Sequence, residues 1–143
     1  MVENIWEKWI PNIGVKRKYY IHSIVDNFNG LYVFLFDTDD SSKINVQFPG
    51  RVYAYRSVEE LAALSYLESV NDKNGNWMAS EWTFFVVQNS SYAREVAKNS
   101  YDVYSFDSLI HIAIISGESL FEIITDMLPE VEEGWTVEEI ETT

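Results

Sequence analysis

SLIHIAIISGESLFEIIT, residues 108–125, decides the fold. Two runs of Ile, Leu and Phe, each of strand length, flank the polar Ser116-Gly117-Glu118-Ser119, where Gly117 can supply the positive φ of a turn. The stretch reads as a buried antiparallel hairpin. Its first arm, residues 109–115, is nearly continuous in apolar side chains, which suits a central strand covered on both faces. The second arm is ambiguous: Leu120, Ile123, Ile124, Met127 and Leu128 also fit helical spacing, and Ser119 with Glu122 has capping-box form. Strand is the favoured assignment for residues 119–128, and helix stays open. Either way the segment is core and shows no chemistry, so function has to be sought on the surface around it.

Upstream, Ile5, Trp6, Trp9, Ile10 and Ile13 fall near one helical face before and just beyond Pro11, which predicts a short N-terminal helix over residues 4–10. From Lys18 the period changes to two. Strands follow over 18–25 and 31–36, then over the stretch holding Ile44, Val46 and Phe48, then over 51–56. Asp26-Asn-Phe-Asn-Gly30, the polar run 37–42 and Pro49-Gly50 supply the turns, and the whole reads as a four-stranded meander. Ser57-Val-Glu-Glu60 has capping-box form, with Leu61, Leu64 and Leu67 behind it, so a helix is expected to about Val70. Residues 81–88 form a strand dense in aromatic and β-branched side chains, and Asn89-Ser90-Ser91 caps a helix over 92–99. An acidic tail, 129–143, has only Val131, Trp135, Val137 and Ile140 as apolar anchors. The expected architecture is a single α+β domain over residues 1–143, mainly antiparallel β-sheet flanked by two or three short helices.

A chain of 143 residues, 47% apolar and 15% aromatic, carries enough core for one ordered domain. It has no cysteine, which excludes disulfide frameworks, thiolate catalysis and Cys-based zinc sites. Acids stand at the start where a signal peptide needs a basic region, and no apolar run approaches membrane-span length. A cytoplasmic protein is expected. Residues 1–98 hold all ten Lys and Arg with 12 acids, a net of −2, whereas residues 99–143 hold no Lys or Arg and 11 acids. Nearly the whole net charge of −13 therefore sits in the last third. Solubility is the plain reading of such a charge; steering of a basic partner is the sharper one.

Little catalytic chemistry is legible. His22 and His111 lie in separate predicted strands with no Asp, Glu or Cys at ligand spacing, which marks structural histidines and implies no metal. Asp37, Asp39 and Asp40 lack the glycine and distal Glu of a calcium loop and read as a solvated connection. Glu118, Glu122 and Asp126 recur every four residues, a spacing that puts them on one face of helix or strand alike. Paired carboxylates can do acid–base work, which keeps a small enzyme as an alternative. No phosphate-binding glycine loop and no cofactor motif occurs, and the net charge opposes direct nucleic-acid binding. Lys16-Arg17-Lys18, the one basic cluster, reads as the solvated start of a strand.

The start Asn4-Ile-Trp-Glu-Lys-Trp-Ile-Pro11, with Ala54-Tyr-Arg-Ser57, Trp82-Thr-Phe-Phe85, Asn89-Ser-Ser-Tyr92 and His111-Ile-Ala-Ile-Ile115, resembles the layout of a family. That family is the small acidic immunity proteins encoded beside polymorphic toxins in Gram-positive bacteria. The resemblance spans most of the chain and includes no catalytic signature. It implies a non-enzymatic protein that binds the toxic C-terminal domain of its own cell's toxin, often a nuclease, including tRNA nucleases of the wall-associated WapA type. The partner-facing carboxylates are then expected at Glu118, Glu122, Asp126, Glu130, Glu132 and Glu133, with Asp37, Asp39 and Asp40 as a second patch. Phe121 and Trp135 are the candidate apolar anchors, with a place in the core as the alternative for both. Glu118, Glu122 and Asp126 are expected at the surface, where neutralising them would slow association and spare the fold. The partners expected are a basic toxin domain, no direct nucleic acid and no membrane, for a monomer or weak dimer. A nucleic-acid mimic that inhibits a DNA-binding protein is the other alternative.

Overall fold

The computed structural model describes residues 3–15, 18–39, 41–74 and 82–143. The hairpin forms as a pair of strands, β7 (Ile110–Ile115) and β8 (Ser119–Thr125), in the register Ile112↔Ile123 and Ile114↔Phe121. Helix is therefore excluded for 119–125. The apolar side chains that fitted helical spacing beyond it, Met127 and Leu128, are exposed.

β7 is central, as its nearly continuous apolar run requires. It lies between β8 and β6 (Phe84–Gln88) in a five-stranded sheet ordered β1-β6-β7-β8-β5, with β1 at Ile5–Lys8 and β5 at Val52–Glu59. A second sheet, ordered β2-β3-β4-β9, joins β2 (Tyr19–Asn27), β3 (Gly30–Asp37), β4 (Lys43–Phe48) and β9 (Glu130–Glu133). All pairings are antiparallel. Alternate residues of the two sheets interlock: Leu31, Val33, Leu35, Ile44 and Val46 meet Phe84, Ile112, Ile114, Phe121 and Ile123 in one buried layer. The opposite face of the first sheet, with Phe85, Ala113, Ile115 and Leu120, is covered by Leu67 and Val70 of helix α1 (Leu64–Asn74). Helix α2 (Ser91–Asn99) buries Ala93 and Ala97 and packs against β7 and β8. Helix α3 (Val137–Thr142) closes the chain. The result is an α+β fold in which strand exceeds helix among the described residues. No described helix is long and apolar enough to cross a membrane.

Four local readings are corrected. Residues 5–8 are an edge strand paired with β6, not a helix, because Trp6 buries best against Phe85 while its neighbours face outward. The four-stranded meander does not close: β5 crosses to the first sheet beside β8, and β9 from the acidic tail takes the fourth place next to β4. Ser57 caps no helix, because β5 runs on to Glu59 opposite Ser119 and α1 starts only at Leu64. Gly117 does not have positive φ. A Cβ at Gly117 would overlap the Tyr20 ring, and its N–H donates to Tyr19 O at 3.2 Å, so glycine is needed for the close approach of the two sheets. The turn is closed instead by Ser116 Oγ, which accepts from the N–H groups of Glu118 (3.2 Å) and Ser119 (2.9 Å).

Candidate functional site

The acidic tail is folded and fixed to the second sheet. In β9 only Val131 turns inward, while Glu130, Glu132 and Glu133 are exposed beside Gln47, Asn45 and Ile44 of β4. Gly134, at φ +84°, then reverses the chain through a conformation that other residues reach at a cost. Trp135 folds back onto the sheet: its Nε1 donates to Leu35 O at 2.8 Å, Phe34 meets its ring edge-on at 6.1 Å, and the Lys43 ammonium stands 4.8 Å from its centroid. Thr136 and Glu139 form a reciprocal capping box that starts α3. α3 exposes Glu138, Glu139 and Glu141. Every acidic side chain from Asp126 onward is thus exposed, on a backbone held by Val131 and Trp135, in a stretch with no Lys or Arg.

The expected partner-facing residues separate into three groups. Glu130, Glu132 and Glu133 are all exposed on β9, Glu130 and Glu132 on the face opposite Val131. Glu118 and Asp126 are exposed at opposite ends of β8, where Asp126 accepts from the Arg51 N–H at 2.8 Å and from the Tyr53 hydroxyl at 3.4 Å. Glu122, between them, is a correction: it is 1% exposed, since β8 is covered on both faces. Asp37 is a second correction. It is buried and accepts from the Ser41 N–H (2.7 Å), the Ser42 N–H (3.1 Å) and the Ser41 hydroxyl (2.8 Å), shaping the β3–β4 loop rather than meeting a partner. Asp39 is exposed, and Asp40 lies outside the described residues. Phe121 and Trp135 are buried, so neither is a free anchor. Lys18 is half-buried rather than a solvated strand start. Its Nζ donates to Ile115 O at 2.9 Å, and burial lowers its pKa to about 8. Lys16 and Arg17 lie outside the described residues.

Sequence reasoning missed a polar chain buried between the first sheet and its two helices. Ser90 Oγ lies 2.7 Å from His111 Nδ1, and His111 Nε2 lies 2.7 Å from Glu122 Oε2. Arg56 Nε donates to Glu122 Oε1 at 2.9 Å, the Tyr66 hydroxyl donates to Oε2 at 3.3 Å, and the guanidinium stacks over the Tyr92 ring at 4.0 Å. Burial raises the Glu122 pKa, but hydrogen bonds and charge from His111 and Arg56 outweigh it and hold the carboxyl below its ordinary range. Burial, reinforced by the Glu122 charge, pushes the Tyr66 hydroxyl well up.

Serine, imidazole and carboxylate in series have the connectivity of a hydrolase triad with the ring nitrogens exchanged. A pocket of about 180 Å³ opens beside Ser90. Ser90, however, is only 2% exposed, and its Oγ accepts the Ala93 N–H at 2.9 Å as the N-cap of α2. The hydroxyl is committed to the helix, and the chain acts as a lock joining β5, β7, β8, α1 and α2. Among the described residues no three His, Asp or Glu side chains are placed to hold a metal ion.

No family model matches the chain, no curated protein matches its sequence, and no solved structure matches its fold.

Proposed function

We propose that this is a non-enzymatic immunity protein, which binds and neutralises a basic toxin domain of nuclease type through the acidic surface of β9 and α3. One observation carries the reading: every acidic side chain from Asp126 onward faces solvent, in a stretch of sequence that holds no basic residue. A nuclease must hold phosphates, so its active site is electropositive, and a fixed array of carboxylates is complementary to that field. Steering of this kind lifts association to about 10⁸ to 10⁹ M⁻¹s⁻¹, which suits an inhibitor that has to capture a toxin before it acts. The array is displayed on a strand and a capped helix, so little ordering accompanies binding. The test is co-expression with basic nuclease toxin domains, beginning with any encoded by a neighbouring gene. Cells should survive with the wild-type protein and lose protection when Glu130, Glu132, Glu138 and Glu139 become Gln. Retained protection with all four changes would reject the acidic face as the inhibitory surface.

A hydrolase centred on Ser90 is the second reading, favoured by the Ser90–His111–Glu122 connectivity and the adjacent pocket. The burial and capping role of Ser90 weigh against it.

A further inference from the structure

β9 ends its sheet: β4 pairs with one side, and the other side is an open edge among the described residues. Beside it runs a groove of about 450 Å³ between residues 9–12 and 128–132. Its apolar lining residues include Trp9, Ile10, Leu128 and Val131, and its acidic ones are Glu130 and Glu132. Ile10 is 72% exposed and Leu128 47% exposed, so apolar surface lies next to a strand edge that pairs with no further strand among the described residues.

We propose that this edge and groove receive an extended segment of the partner in which Lys or Arg alternates with aliphatic residues. The inference rests on the basic partner proposed above and names which part of it docks here. A strand added to β9 places successive side chains on opposite faces. Those on the Val131 side meet the Trp9, Ile10 and Leu128 wall. Those on the other side stand across from Glu130 and Glu132, where an opposite charge is a favourable cross-strand pair and a carboxylate is not. A second copy of β9 would put Glu against Glu, so self-pairing is disfavoured and a basic strand is selected.

The probe is a synthetic eight-residue peptide alternating Lys and Val, with a control in which two central residues are Pro. It is titrated at low salt into the ¹⁵N-labelled full chain. Saturable shifts at the amides of Leu128 and of residues 130–133 are expected from the first peptide and none there from the control. Ile10→Ser with Leu128→Ser should weaken binding at least fivefold, and Glu130→Lys with Glu132→Lys at least tenfold. Shifts spread over α3, insensitive to the two serines and equal for both peptides, would overturn the groove and leave the acidic surface standing. No response to the Lys peptide anywhere would remove both readings.

Discussion

His111 Nε2 stands 2.7 Å from Glu122 Oε2, diagonally across the β7–β8 hairpin, with each side chain about 1% exposed. Both residues interrupt otherwise apolar central strands, and each satisfies the other. Removing one leaves a buried polar group without its partner. Glu122→Ala should therefore cost about 3 kcal/mol, the low end for a broken buried pair because Arg56 is 41% exposed and can turn to water. Glu122→Gln should cost less, since the amide oxygen still accepts from Arg56. Urea denaturation measures both. A loss below about 0.5 kcal/mol for the alanine variant, the range of ordinary surface changes, would contradict the lock.

The same residue fixes an acid-side prediction. The Glu122 carboxyl is held below its ordinary 4.5 in the folded protein, so the unfolded chain takes up this proton first as pH falls. Its contribution is complete above about pH 4.5 and disappears as pH drops through the lower, folded value. The stability difference between wild type and Glu122→Gln should shrink as pH falls below about 4.5. A difference that grows on acidification would reverse the assigned sign.

Gly117→Ala tests the junction between the sheets. The added methyl meets the Tyr20 ring, which itself stacks on Phe36 at 5.7 Å, and should cost about 1–3 kcal/mol as local overpacking. Tyr20→Ser should be less harmful in the Gly117→Ala background than in wild type, because it removes the atoms in conflict. Additive losses in that double-mutant cycle would place the strain elsewhere.

Ser90→Ala separates a cap from a nucleophile. Loss of the N-cap oxygen should lower stability by about 1–2 kcal/mol. Wild-type protein should resist labelling by a fluorophosphonate, since the hydroxyl is shielded and committed to Ala93. Labelling at Ser90 that disappears in His111→Ala would promote the hydrolase reading.

Legibility in the sequence followed the range of the interactions. The β7–β8 hairpin, β6 and the β2–β3–β4 succession could be read because strand period, turn residues and apolar density are local signals. Residues 5–8 could not: over so short a run a helical face and an alternating edge strand look alike, and pairing with β6 decided between them. The exchange of β5 for β9 was hidden because partner choice between sheets leaves no local period. The Glu122 error had a signal that was available. A carboxylate set among Leu120, Phe121, Ile123 and Ile124 in a strand covered on both faces has to be buried and partnered, and His111 on the adjoining strand is the matching polar interruption. Its spacing with Glu118 and Asp126 was true geometry, but it joined one core residue to two surface ones. A triple neutralisation of Glu118, Glu122 and Asp126 would therefore damage the fold as well as the charge.

The acidic surface is tested most directly by the salt dependence of association with a basic nuclease toxin domain against which the protein protects cells on co-expression. Stopped-flow rates would be compared for wild type and for the Glu130→Gln, Glu132→Gln, Glu138→Gln, Glu139→Gln variant, whose changes are all at exposed positions. The wild-type rate should fall steeply as salt rises and the screening length shortens to about 8 Å at physiological ionic strength. The variant should associate at least tenfold more slowly at low salt, with a flatter dependence and unchanged thermal stability. Equal rates and equal salt slopes for the two proteins would contradict the account and leave the carboxylates of β9 and α3 as solubilising charge alone.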